Sequence, residues 1–313
     1  MARTTTKGSK VVTLKEAKDL AHRLVWKGSH GERTTMINAE DVCNILGKDR
    51  PVDSIDTEDV DEMVFKLEDR GLSLSTINKK ISALSTILRV CMERGYIEKK
   101  PKLTFRKVVN GRIRWVTEKE EETILYLCEQ WGLSDVADLI KVAIDTGMRK
   151  GELLRMEVRD YNPHTRMITA WFTKNNEQRS IPATKRVHEV LVRRSQDCLP
   201  TAVIFGGIDE WRLRNVWDRI RRHMKLTDDK EFVFHTLRHT CASRMAMEGV
   251  PLVMIQKFMG HKTIQMTLRY SHLSPDSLNA ARDALEQRQK RSEEKEETAQ
   301  VAEVVEFRPA AQM

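Results

Sequence analysis

The first hundred residues carry four runs of apolar residues at helical spacing, and a stripe of that kind can be buried only against other helices. Leu14, Ala17, Leu20, Ala21 and Leu24 make the first run, which Gly28 stops. A second spans Thr34 to Leu46. The third opens at T-E-D-V-D, with Thr57 as the expected cap, and carries Val60, Met63, Val64 and Leu67 to Gly71. The fourth opens near Ser75, places Ile77, Ile81, Leu84, Ile87, Leu88 and Cys91 on one stripe and ends at Gly95. This pattern predicts a compact helical bundle over residues 13–98. Residues 1–12, polar with Arg3, Lys7 and Lys10, are expected to form a flexible basic arm.

The composition then changes. Residues 99–114, K-K-P-K-L-T-F-R-K-V-V-N-G-R-I-R, have no clean period and read as a basic linker. Beyond it, V-T-E-K is a capping signal, with Thr117 as cap and Glu120 at the third helical position. Two β-like runs, Arg166 to Phe172 and Arg179 to Pro182, flank T-K-N-N-E-Q as a hairpin, and helical patterns run from Lys185 to about Arg288. The expected fold class is mainly α: an N-terminal helical bundle followed by an α+β domain, residues 115–290, with a small β-hairpin sheet. Trp171 and Trp211 are expected in its core. The tail, residues 291–313, is expected to be disordered or to dock on the body of the protein or on a neighbouring subunit through Val301, Val304, Val305 and Phe307.

Charge narrows the class of partner. The 54 Lys and Arg exceed the 46 Asp and Glu by eight, which favours a polyanion such as a nucleic acid. Lys79, Lys80 and Arg89 on the fourth helix, with Arg106 and Lys107 in the linker, are candidate contacts to a DNA backbone; an ordinary solvated face is the alternative. The cysteines form no C-x-x-C pair and no His–Cys cluster, so no metal site is expected and the thiols read as free in a reducing compartment. No apolar leader or membrane-spanning run is present, so a cytoplasmic, DNA-associated protein is expected.

Three separated segments carry the chemistry. In I-D-T-G-M-R-K-G-E-L, Arg149 and Glu152 share a helix face at i, i+3. Alone this is a surface ion pair, but a guanidinium at a helix start also suits an anion held between them. In F-H-T-L-R-H-T, His235 and Arg238 lie about one turn apart. In M-G-H-K-T-I-Q-M-T-L-R-Y, Gly260 ends a short helix, His261 falls in the turn, Thr263 is the expected cap of the next helix with Ile264 and Leu268 inward, and Tyr270 stands near its far end. An isolated tyrosine is more often a half-buried core residue than a nucleophile. His239 and His272 read as packing or hydrogen-bonding residues.

Together, T-G-M-R-K-G-E-L, H-T-L-R-H-T, Gly260–His261 and Tyr270 resemble, in order and spacing, the motifs of the tyrosine recombinase or phage-integrase family. The resemblance is strong from about Thr117 to Leu273 and weaker over the bundle, which looks like the family's core-binding domain. It implies an enzyme that cleaves and rejoins DNA through a 3′-phosphotyrosyl intermediate. Arg149 and Arg238 would clamp the scissile phosphate, supported by Glu152, and Tyr270 would attack it. His235 would take the tyrosine proton, His261 would hydrogen-bond a non-bridging oxygen, and Lys174, at the hairpin, would protonate the leaving 5′ oxygen. No metal, ATP or other cofactor is implied, and no G-x-x-x-x-G-K-[ST] loop occurs. The implied partners are double-stranded DNA and three further copies of the chain in a tetramer, with an accessory DNA-bending protein a further candidate. The absence of an extra arm-binding domain before residue 13 points to a compact phage or mobile-element integrase. An Xer-type chromosome-dimer resolvase, a type IB topoisomerase and a non-catalytic DNA-binding regulator are the alternatives.

Overall fold

The computed structural model describes residues 11–29, 31–108, 113–171, 178–274, 282–291 and 294. The chain divides into two compact units, Met1–Gly111 and Arg112–Met313.

The first unit is a helical bundle. α1 (Leu14–Ala21) continues into a π-helical turn, His22–Trp26, and is followed by α2 (Glu32–Leu46), α3 (Thr57–Asp69) and α4 (Leu74–Glu93). Three of these four helices start on a side-chain cap, the exception being α2, which follows Gly31. Thr13 and Glu16 form a reciprocal capping box at α1, and Ser73 accepts from the Thr76 amide at α4. At α3 the cap is Asp56, boxed with Asp59, not Thr57 as the sequence suggested; the carboxylate one residue earlier takes the role. The stripe of α4 makes the centre of the core, with Ile77, Ile81, Leu84, Ile87 and Leu88 fully buried. Val12 is buried too, and its carbonyl accepts from the Val52 amide, so the expected basic arm ends before residue 12 and this residue belongs to the bundle. Residues 1–10 lie outside the described residues.

The second unit wraps several helices around α6 (Ser134–Thr146), where Val136, Leu139, Ile140, Val142, Ala143 and Ile144 are all buried. Such all-round burial requires neighbours on every side. α5 (Glu118–Gln130) precedes it, capped by the expected Thr117–Glu120 box, and α7 (Lys150–Leu153) follows. Three short strands, β1 (Tyr161–Asn162), β2 (Met167–Ala170) and β3 (Arg179–Pro182), form an antiparallel sheet in sequence order, with Ile168 opposite Ile181 and Ala170 opposite Arg179. The sheet is expected from the hairpin pattern except for β1, which is too short to show a period. α8 (Lys185–Ser195), α9 (Glu210–His223), α10 (Thr236–Met247), α11 (Leu252–Met259) and α12 (Gln265–Leu268) complete the described elements named here.

Two tryptophans correct the sequence reading. Trp171 is 51% exposed and Trp211 73% exposed, so neither is core. Trp211 sits in the first turn of α9, whose inward face is Leu213, Val216, Trp217 and Ile220. Trp217 is the buried indole, stacked on Phe232 and donating to its carbonyl at 3.1 Å.

Candidate active site

Two glycine-ended helices supply the carbonyls that hold the site's guanidinium groups. α6 ends at Gly147 with φ +58°, and α11 ends at Gly260 with φ +61°, a left-handed conformation that side chains disfavour. From the packed face of α10, Arg238 reaches both turns: Nη1 donates to the Gly147 carbonyl and Nη2 to the Met259 carbonyl. It is only 4% exposed. Burial, with the charges of Arg149 and Arg179 adding to it, lowers its pKa to about 10, which leaves it a cation at neutral pH.

Arg149 stands just before α7. Its Nη1 donates to Glu152 Oε1 at 2.7 Å, its amide to Glu152 Oε2 at 3.0 Å, and its Nη2 to the Gly260 carbonyl at 3.2 Å. Glu152 is buried, and burial alone would raise its pKa; the charges and hydrogen bonds of Arg179 and Arg149 hold it below the usual carboxylate range. Arg179, at the start of β3, donates Nη2 to Glu152 Oε2 at 2.7 Å and Nη1 to Oε1 at 3.2 Å. A Cβ on Gly260 would lie 2.9 Å from Arg179 Cδ and 3.0 Å from Nη1. Gly260→Ala therefore strains the turn and presses on Arg179 together; a stability loss of at least ~1–2 kcal/mol is expected, read as a lower urea midpoint with an unchanged slope.

The tyrosine lies within reach of the Arg238 charge. Tyr270 follows α12 and is 1% exposed, packed in a cluster with Ile113, Cys241, Ala242, Ala246, Ile255 and Met259. Its hydroxyl lies 2.7 Å from His239 Nδ1. Burial raises its pKa to about 12 against the opposing charges of Arg269 and Arg238. Burial also lowers His239 to about 4, helped by His235, Arg269 and Arg238, so the imidazole is neutral and its Nδ1 can accept the tyrosine proton's hydrogen bond. His239, read from sequence as a packing or hydrogen-bonding residue, is thus the imidazole in contact with the Tyr270 hydroxyl. His235 stands exposed at the start of α10, its ring edge-on to His239 at 5.0 Å, and desolvation with Arg238, Arg149 and Arg269 lowers its pKa.

His261 is 9% exposed, parallel to the Tyr270 ring at 6.3 Å, with Nδ1 2.8 Å from Thr267 Oγ1. Thr267, fully buried, is the inward residue of α12; Leu268, expected to face inward, is 47% exposed, and Ile264, not Thr263, precedes the helix. Burial, then Arg238 and Arg149, lowers the His261 pKa to about 3. At neutral pH His261 is uncharged in the folded and unfolded chain alike. As pH falls below its ordinary value of 6.5, the unfolded chain binds protons that the folded chain refuses, so stability drops with pH until the folded pKa is reached. His261→Phe is expected to remove up to about 1.4 kcal/mol per pH unit from that slope between about pH 6 and 4, measured by urea unfolding.

The bundle residues proposed as DNA contacts fare unequally. Lys79 and Lys107 are exposed. Lys80 is buried, bonded to Asp41 at 2.7 Å, and cannot face a phosphate as expected; one residue along a helix turns the side chain about 100°, into the core. Arg89 pairs with Glu93 at 2.7 Å. Arg106 pairs with Glu68 at 2.7 Å, and its backbone exchanges hydrogen bonds with the Asn78 side chain, so this part of the expected linker is fastened to the bundle. Lys174 and the tail beyond residue 294 lie outside the described residues.

His239, Arg179 and Thr267 are site residues that sequence reasoning missed. A signal existed for two. His239 is four residues after His235, the interval that stacks side chains along a helix, and Arg179 is the charged member of an inward pair with Ile181 in the alternating R-S-I-P.

Comparison with known proteins gives a consistent result. Residues 114–277 match the family model described as the phage integrase family. The chain is similar to tyrosine recombinase XerD of Staphylococcus saprophyticus, 25% identical over 248 residues that span 74% of this chain and 83% of that protein. Among solved structures it shares the fold of the Tn1549 transposon integrase in complex with a circular intermediate DNA, with a TM-score of 0.71 at 22% identity, covering 88% of this chain and 99% of that one. It likewise shares the fold of lambda integrase, solved as a tetramer bound to a Holliday junction, with a TM-score of 0.67 at 18% identity over 85% of this chain and 78% of that one.

Proposed function

The chain belongs to the phage integrase family and is a site-specific tyrosine recombinase, and we propose that it works as a phage or mobile-element integrase whose nucleophile is Tyr270. The observation that carries the assignment is the junction of α6, α10 and α11, where Arg238 is held by the carbonyls of Gly147 and Met259 and Arg149 by that of Gly260. Two cationic forks held at one turn suit one phosphodiester, and the charge of Arg238 also acts on Tyr270.

In the proposed reaction the Tyr270 oxygen attacks phosphorus and the bond to the 5′ oxygen breaks. The phosphate stays on the 3′ side, esterified to the tyrosine, and the 5′ oxygen departs with a proton. Arg149 and Arg238 hold the non-bridging oxygens, whose charge grows in the transition state. His239, neutral and already in contact, is the first acceptor for the tyrosine proton, with His235 beside it as the route outward. His261, neutral and 2.8 Å from Thr267 through Nδ1, is the proposed hydrogen-bond donor to a non-bridging oxygen through Nε2, in the tautomer that carries its proton there. Lys174 is the proposed donor to the leaving oxygen. Because the phosphotyrosine keeps the energy of the diester, attack by a 5′ hydroxyl reseals the strand.

The proposed partner is duplex DNA, with Lys79 and Lys107 on its backbone, and the proposed assembly is a tetramer on paired sites, as in the lambda integrase complex. An accessory DNA-bending protein is a further proposed partner, and the proposed location is the bacterial cytoplasm, where the chromosome lies. The test uses a pool of nicked duplexes with a randomised central segment, from which the released oligonucleotide cannot religate. An SDS-resistant adduct with the protein is expected. Tight binding without any adduct would instead indicate a DNA-binding regulator.

A further inference from the structure

We propose that Arg179 is a positioning residue for the phosphate clamp: by occupying the fork face of the Glu152 carboxylate, it stops that carboxylate from closing on Arg149 and keeps the Arg149 guanidinium open toward the DNA. The inference rests on the clamp reading given above.

Glu152 receives bonds from both arginines, and they are unequal. Arg179 spans both carboxylate oxygens, at 2.7 and 3.2 Å, whereas the Arg149 side chain touches only Oε1, at 2.7 Å, and directs Nη2 to the Gly260 carbonyl at 3.2 Å. A carboxylate and a guanidinium prefer the two-bond arrangement. Glu152 makes that arrangement with Arg179, so Arg149 does not have it. With Arg179 removed, the same carboxylate is free to take Arg149 by both nitrogens and draw it from the phosphate position.

Charge points the same way. Glu152 now divides its charge between Arg179 and Arg149, both of which lower its pKa; without Arg179 the whole of that charge would fall on Arg149. Stability does not account for the residue. Arg179 is 9% exposed, and its buried Nε has no hydrogen-bond acceptor among the described residues. A buried ion pair with an orphaned donor is a poor way to hold a strand to a helix, since apolar residues of similar size usually do it as well. The space it needs is taken from Gly260, the same turn whose carbonyl holds Arg149.

The experiment is a double-mutant cycle on the nicked-duplex pool, with adduct formation followed in a single turnover at saturating protein. Arg179→Met is expected to slow the adduct by about 10- to 100-fold at unchanged DNA affinity. In the Arg149→Ala background the same change should cost less than about two-fold, because the residue it positions is gone. Arg179→Lys, which restores the charge without the fork, should recover only part of the rate. A full rate in Arg179→Met, or the same loss in both backgrounds, would overturn the proposal. Side-chain NMR of the Arg149 guanidinium, read in the wild type and in both Arg179 variants, decides the point without DNA: its signals should shift in Arg179→Met, and unchanged signals would refute the positioning role. If the wild type forms no adduct, the recombinase reading of the site fails, while the NMR comparison still judges Arg179. Should Arg179→Met not fold, Arg179→Lys carries the cycle and the NMR alike.

Discussion

Tyr270→Phe is expected to abolish the covalent protein–DNA adduct, a fall of at least about 10⁴-fold, while DNA affinity stays within about two-fold of the wild type. The ring is what the fold uses. It lies parallel to His261 and fills the cluster with Cys241, Ala242 and Met259, and a phenylalanine keeps all of those contacts. The hydroxyl has one described partner, His239 at 2.7 Å, and losing that bond should lower stability by only about 1 kcal/mol. A thermal melt near that of the wild type, together with complete loss of adduct on the nicked pool, separates a missing nucleophile from a damaged fold.

Arg238→Lys is expected to slow adduct formation by about 10²–10³-fold. The substitution looks conservative, but the site is built for a fork: Nη1 and Nη2 reach carbonyls on two different turns, at Gly147 and Met259. One ammonium cannot serve both carbonyls and a phosphate in that geometry. The environment adds a second penalty. Burial and the neighbouring arginines already lower the pKa of Arg238 to about 10, and a lysine, which starts lower, loses its proton more readily there. The defect should therefore deepen as pH rises from about 7 to 9, while the wild type shows no such loss from this group. A Lys variant with the wild-type rate and pH profile would remove Arg238 from the clamp.

Much of the fold was open to reading because its signals are local. The α4 stripe and the hairpin repeat at helical and strand periods, and Gly71, Gly95 and Gly260 end helices where their left-handed φ is needed. Lys80 was legible in principle: it lies three residues after Ile77 and four before Leu84, both fully buried, so it belongs to their stripe and not to the side of Lys79. Its partner, Asp41, is on another helix, which no spacing reveals. The cap of α3 was misplaced by one residue because Asp56 and Thr57 are both competent caps, and only the backbone decides between them.

The site shows the same division. Arg149, Glu152, Arg238, His261 and Tyr270 stood in recognisable motifs, and the fold brings Arg149, Glu152 and Arg238 to the Gly147 and Gly260 turns. The contact of His239 with Tyr270 joins residues 31 apart, and that of Arg179 with Glu152 joins residues 27 apart. Those pairings are products of how α10 meets the turn after α12 and how Arg179 of β3 meets Glu152 of α7. Trp211 was misread because its helix buries the face of Leu213, Val216, Trp217 and Ile220, from which Trp211 is absent.

The most direct measurement identifies the amino acid that carries the DNA. Adduct trapped on the nicked pool, digested with nuclease and trypsin, should yield residues 270–282 bearing the nucleotide through a 3′ phosphate on Tyr270, since cleavage follows Arg269 and Arg282. Attachment at any other side chain, or through a 5′ phosphate, would contradict the account.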